Sequence, residues 1–149
     1  MTKIEFLKDL SKGWFATSQQ HSIHAQLLRH RGYTVLADKI AAEAEEEWDE
    51  AKQVNARLIE LGETPEVAIA SYPVITDIKE MLEYDCKDAA EGLPMMSKAL
   101  SLFEDDYVSR DMVQKFIVEE QNHYNWLRQH LSLIEDIGME NYLIEQLGK

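Results

Sequence analysis

The sequence predicts an all-α protein: an up-down four-helix bundle with one long crossover between helices two and three, and a short fifth helix at the C-terminus. Three observations predict it. Apolar residues recur at three- and four-residue spacing through four long segments. Only six glycines and three prolines interrupt 149 residues, so each segment runs far before a breaker. No stretch of useful length alternates apolar and polar residues as a half-buried strand does.

The first helix spans about 3–31, with Leu7, Leu10, Trp14, His21 and Leu28 on one stripe. Thr2 followed by Glu5 is the pattern of a capping box at its start. The second, about 35–61, places Ile40, Ala44, Glu47, Ala51, Val54, Leu58 and Leu61 in 3-4 alternation. Helix three, about 75–103, carries Ile75, Ile78, Leu82, Asp85, Ala89, Met96 and Phe103. Helix four, about 107–136, carries Val113, Ile117, Glu120, Tyr124, Leu127, Leu131 and Ile134. After Gly138, "MENYLIEQL" makes a short tail helix, about 139–147. All five elements fit one domain over 1–149.

The connections set the topology. Few residues around Gly32 join helices one and two, and "FEDDY" joins three and four, so each pair is antiparallel. Between two and three lies "GETPEVAIASYPV", residues 62–74. Fully extended, such a segment reaches about 43–47 Å. A helix of about 27 residues is about 40 Å long. The segment is long enough to run the length of the bundle, which makes helices two and three parallel.

Twenty-eight acidic residues against 15 basic give a formal net charge of -13. That balance repels nucleic-acid phosphates and anionic membrane and concentrates cations. Cys86 is the only cysteine, so an intrachain disulfide is excluded and a reducing compartment fits. The start, "MTKIEFLKDLSKGWF", lacks the apolar core of a signal peptide, and no run approaches the roughly 18 apolar residues of a membrane span. A soluble, cytoplasmic protein is expected, with neither nucleic acid nor membrane as partner.

Polar residues on the inner stripes carry the chemistry. Glu47 interrupts the second seam and Glu120 the fourth, with His123 one turn on; Asp85 lies on the third and His21 on the first. Carboxylates gathered inside a bundle repel unless a cation neutralises them. Carboxylate and imidazole donors suit iron, manganese or zinc. Di-metal bundles take one Glu from each of two helices and a Glu-x-x-His from each of the other two. Here Glu120 and His123 form one intact pair, while Glu47 and Glu50 have the spacing with a carboxylate in place of the histidine. The expected metal set is Glu47, Glu50, Glu120 and His123. Other readings stand beside it: "EAEEEWDE" is also what a solvated acidic face looks like, His21 also suits a satisfied core histidine, and Asp85 a capping or pairing residue. His30 and His130 fall outside the central cluster and read as surface residues.

"DYVSRD", "EEQNHYNWL" and "IGMENYL", within residues 106–143, closely resemble the last third of the bacterioferritins. "HAQLLRHRG" (24–32) and "EMLEYD" (80–85) resemble the same family more weakly, and the second helix keeps the spacing but little else. The resemblance implies a ferritin-like fold and iron storage in a hollow cage of 24 subunits built from two-fold dimers. It also implies oxidation of Fe(II) at a di-iron site within each subunit, with haem at the dimer interface. Position by position, Glu47 matches the bridging glutamate of the second helix, and Glu120 and His123 match the glutamate and histidine of the fourth. Three other ligand positions are altered. The first-helix glutamate aligns with Trp14, the second-helix histidine with Glu50, and the third-helix glutamate with Ala89. The haem methionine aligns with Trp48, so haem held in the family's manner is not expected.

The resemblance therefore implies a reduced site for one or two iron ions, which oxidises Fe(II) with oxygen if it is active. His21, on the stripe of Trp14, and Asp85, one turn before Ala89, are the candidates for substitute ligands. The alternative is a structural cage, or a partner subunit co-assembling with an active paralogue, that has lost ferroxidase activity. A DNA-shielding mini-ferritin is disfavoured by the acidity and by the tail helix.

Overall fold

A computed structural model describes residues 1–148. Among them the chain is helical throughout its ordered elements, with no strand: α1 (Lys3–His30), α2 (Thr34–Glu60), α3 (Ile78–Ala99), α4 (Tyr107–Ile137) and α5 (Met139–Glu145). It forms two compact units: Met1–Val74 with residues 146–148, and Ile75–Glu145.

The first unit is an antiparallel hairpin of α1 and α2. The backbone N–H of Glu5 donates to Thr2 Oγ1 (3.2 Å) and that of Thr2 to Glu5 Oε2 (3.4 Å), closing the capping box. The α1 helix stops because Gly32 takes φ +91°, which lets Tyr33 N–H reach back to the Leu28 carbonyl at 3.1 Å. The α2 helix ends the same way, with Gly62 at φ +86° and Glu63 N–H on the Leu58 carbonyl at 2.9 Å. Leu7, Leu10, Trp14 and Leu28 of α1 are buried, as are Ile40, Ala44, Ala51, Val54 and Leu58 of α2.

The long connection after α2 has no regular structure and lies along α1. Lys8 and Lys12 contact the Glu66 carboxylate (3.5 and 3.7 Å), Ala70 N–H donates to the Lys12 carbonyl (3.2 Å), and Gln20 Nε2 donates to the Pro73 carbonyl (2.8 Å). Residues 8, 12, 16 and 20 share one face of a helix. The strap therefore climbs α1 toward its C-terminal end, a rise of about 18 Å at about 1.5 Å per residue. It runs along the face where Ala16 and Gln20 are buried, so α1 buries a wider arc than one seam.

The second unit is the hairpin of α3 and α4, followed by α5. Expected from about residue 75, α3 begins at Ile78, because Asp77 is the cap: its Oδ2 accepts from Glu80 N–H at 3.0 Å. Pro94 lies inside α3, where its ring removes one backbone donor, and the last turn tightens into a 3-10 segment at Leu100–Phe103. Asp106 caps α4 while buried, accepting from Ser109 N–H (3.1 Å) and Ser109 Oγ (2.7 Å). The buried seam of α4 is Val113, Phe116, His123, Leu127 and Ile134. Ile117, Glu120, Tyr124 and Leu131, expected at its centre, flank it instead.

Candidate metal centre

In the first unit Glu47 and Glu50 sit one turn apart on α2, 8% and 5% exposed. A carboxylate at such depth is costly unless it is paired. For Glu47 the partner comes from α1: the His21 Nδ1 and Glu47 Oε1 are 2.5 Å apart, and His21 is 3% exposed. An imidazole N–H that donates to a carboxylate makes a hydrogen bond of the charge-assisted class. One turn further along α1, His24 is also buried, its ring centroid 6.3 Å from that of His21. The sequence pattern passed over His24; its i+3 spacing from His21 was the available signal.

The second unit repeats the pairing with the roles exchanged between helices. The ring Nε2 of His123, on α4, donates to Asp85 Oδ2 of α3 at 2.7 Å, with both residues buried. In the neutral ring, a carboxylate that accepts from Nε2–H leaves the lone pair on Nδ1. That nitrogen is buried and makes no hydrogen bond, although the ring as a whole is held firmly by Asp85. Glu120, three residues before His123 on the same helix, is half-buried. Beside Asp85, burial pushes the Cys86 thiol pKa up, the Asp85 charge adds to the rise, and Arg128 opposes it.

His21 and Asp85, the two candidate substitute ligands, thus each make a hydrogen bond to one residue of the expected metal set. Trp14 and Ala89, at the altered ligand positions, are buried apolar groups on α1 and α3. Trp48 is half exposed, its ring edge-on to Phe15 at 4.7 Å.

The reading of His130 as a surface residue is corrected. It is part-buried, stacks on Trp126 with centroids 3.9 Å apart, and hydrogen-bonds the hydroxyl of Tyr142 at 2.7 Å. Tyr142 is fully buried, and burial pushes its pKa up to about 12. The spacing of Trp126 and His130 was visible in the sequence. The contact with Tyr142 needed the turn at Gly138, which folds α5 against the end of α4.

A ferritin-like domain matches residues 4–137. The chain belongs to the ferritin family. Among similar proteins, the bacterial ferritin of Neisseria meningitidis serogroup A is 37% identical over 147 residues, covering 97% of this chain and 96% of its own. The bacterial ferritin of Pseudomonas aeruginosa is 33% identical with the same coverage. The bacterioferritin of Brucella melitensis is 28% identical, over 93% of this chain and 88% of its own. Membership of the ferritin family makes the fold class that of a ferritin-like four-helix bundle with a short fifth helix, and the five helices described above are its elements. No described helix is long and apolar enough to cross a membrane.

Proposed function

We propose that this ferritin-family chain is a cytoplasmic iron-storage protein, one ferritin-like domain that assembles with copies of itself into a hollow cage. Its metal set is Glu47, Glu50, Glu120 and His123. The observation that carries the reading is the pair of buried bonds, His21 to Glu47 and Asp85 to His123. Each holds a residue that matches a ferritin ligand in the state a metal needs. Glu47 keeps Oε2 for a cation while His21 fixes Oε1, and His123 keeps Nδ1 while Asp85 fixes Nε2. Carboxylate–histidine–metal relays are built this way. In this reading His21 and Asp85 are positioning residues rather than substitute ligands.

Fe(II) is the substrate. Three carboxylates and one imidazole are hard and borderline donors that suit Fe(II), and manganese or zinc after it. Four donors hold one ion well and two poorly. Each Fe(II) loses one electron to dioxygen, and the Fe(III) product hydrolyses and joins the stored mineral. Haem has no place in the scheme, because an indole N–H is a donor only and Trp48 offers no ligand atom.

The test is an anaerobic Fe(II) titration of the apoprotein followed by oxygen, beside Glu47→Ala/Glu120→Ala. The expected result is one tightly bound Fe(II) per chain, oxidised faster than in the double variant. Binding and oxidation equal to the variant's would sink the working site. That outcome would leave the second reading, a cage or partner subunit without a ferroxidase centre. One observation favours this alternative: the buried Glu47 carboxylate already has a protein partner, His21, in the place of a cation.

A further inference from the structure

The α1–α2 hairpin carries a second buried bond beside the one that holds Glu47. Ser18 Oγ, on α1, donates to the backbone carbonyl of Ala44, on α2, at 2.6 Å, and both residues are buried. Inside a helix that carbonyl already accepts from the N–H four residues on, and a carbonyl oxygen has two lone pairs. Ser18 takes the second, so α2 gives up no bond of its own. The approach is open because residue 44 is alanine, whose methyl leaves the backbone within reach of a hydroxyl.

His21 follows Ser18 by three residues and Glu47 follows Ala44 by three, so the two bonds lie one turn apart on both helices. They hold different things. His21 Nδ1 meets the Glu47 carboxylate, a group at the end of a side chain with several rotatable bonds. Ser18 holds backbone, which moves only when the whole turn moves. One contact between two helices leaves them free to slide and roll about it. Two contacts, one of them to backbone, remove that freedom.

We infer that Ser18 is a positioning residue for the metal set: it fixes the register of α2 against α1 at which His21 meets Glu47. The inference rests on the reading of Glu47 as a metal ligand. Donors to a cation must be held to within about 0.5 Å, which a side-chain contact alone does not secure. Ser11, two turns before Ser18 on α1, is the control. Its Oγ donates to Asn55 Oδ1 at 3.0 Å, joining one side chain to another away from Glu47.

Two measurements on the full-length protein separate this inference from the reading beneath it. The first needs no iron. Magic-angle-spinning NMR of the 15N-histidine-labelled apoprotein reports the hydrogen bond at His21 Nδ1, assigned with His21→Gln. The bonded signal is expected in the wild type, in Ser11→Ala and in Ser18→Thr. Threonine keeps the hydroxyl, and its added methyl has room in a groove of about 340 Å³ that Ser18 borders. In Ser18→Ala the signal is expected to move toward that of an unbonded ring. A His21 signal unmoved in Ser18→Ala overturns the inference, whatever iron does.

The second is an anaerobic Fe(II) titration. Ser18→Ala is expected to keep the stoichiometry and to bind about 10-fold more weakly, the usual loss for a group that orients a ligand. Ser18→Thr and Ser11→Ala bind as the wild type does. Because Ser18 acts through the His21–Glu47 bond, Ser18→Ala adds no further loss in a His21→Ala background. Losses that multiply, or a loss in Ser11→Ala or Ser18→Thr equal to that in Ser18→Ala, overturn the inference and leave Glu47 a ligand. Wild-type binding no tighter than that of Glu47→Ala overturns the ligand reading, and with it the metal role given to Ser18.

Discussion

At the residue scale the decisive contacts are His21 with Glu47 and Asp85 with His123. Replacing His21 by alanine leaves a buried carboxylate without its donor. The expected cost is about 1–3 kcal/mol of stability, read as a lower urea midpoint with an unchanged slope. If His21 positions Glu47 without binding metal, His21→Ala keeps the Fe(II) stoichiometry and loses affinity by about 10–100-fold. A loss of stoichiometry would make His21 a ligand after all. The sequence identified these polar residues because a charged or imidazole side chain on an apolar stripe is conspicuous at helical spacing. It could not pair them, since a hydrogen bond between helices depends on their mutual register to within an ångström. His24 and His130 escaped for a related reason. His24 falls on the stripe of His21 and Leu28 but beside a more conspicuous histidine, and His130 is covered only by a helix that arrives later in the chain.

At the element scale the ends of the helices were legible where capping residues are local. Thr2 with Glu5 marked the start of α1, and glycines marked the ends of α1 and α2. Asp106 is a stronger cap than an exposed one, because it is buried and accepts two bonds from Ser109. Asp106→Ala is expected to destabilise the protein by about 2 kcal/mol, at the upper end for caps, measured by thermal unfolding. The α4–α5 corner makes a pH prediction. The Tyr142 pKa is raised to about 12 from 10.0, so the folded state holds the proton more tightly than the unfolded state. That contribution is complete below pH 10 and is lost as pH rises toward 12. Unfolding at graded alkaline pH is expected to show this loss in the wild type and not in Tyr142→Phe. The seam of α4 was less legible: Phe116 and Ile117 are both apolar neighbours, and periodicity alone did not choose between them.

At the scale of the whole molecule, fold class and family were readable because long amphipathic helices and the C-terminal motifs carry strong signals, whereas the completeness of the metal site was not. If the chain forms the 24-subunit cage proposed for it, native mass spectrometry is expected to find a species of about 410 kDa from chains of 17.2 kDa. Each chain carries a net -13, so subunits repel one another. Salt at about 0.15 M shortens that repulsion to about 8 Å, and the assembled fraction is expected to rise with ionic strength. A chain that stays monomeric at every salt concentration would sink the cage. The strap along α1 has a separate consequence. Between Glu66 and Ala70 it exposes Val67 and Ile69 in backbone without helical hydrogen bonds, the kind of segment a protease enters first. One cut there would leave two fragments, each with a whole helical hairpin inside it. The gene could accordingly be divided at this point and its halves expressed apart, turning one chain into a complementation pair whose rejoining could be timed.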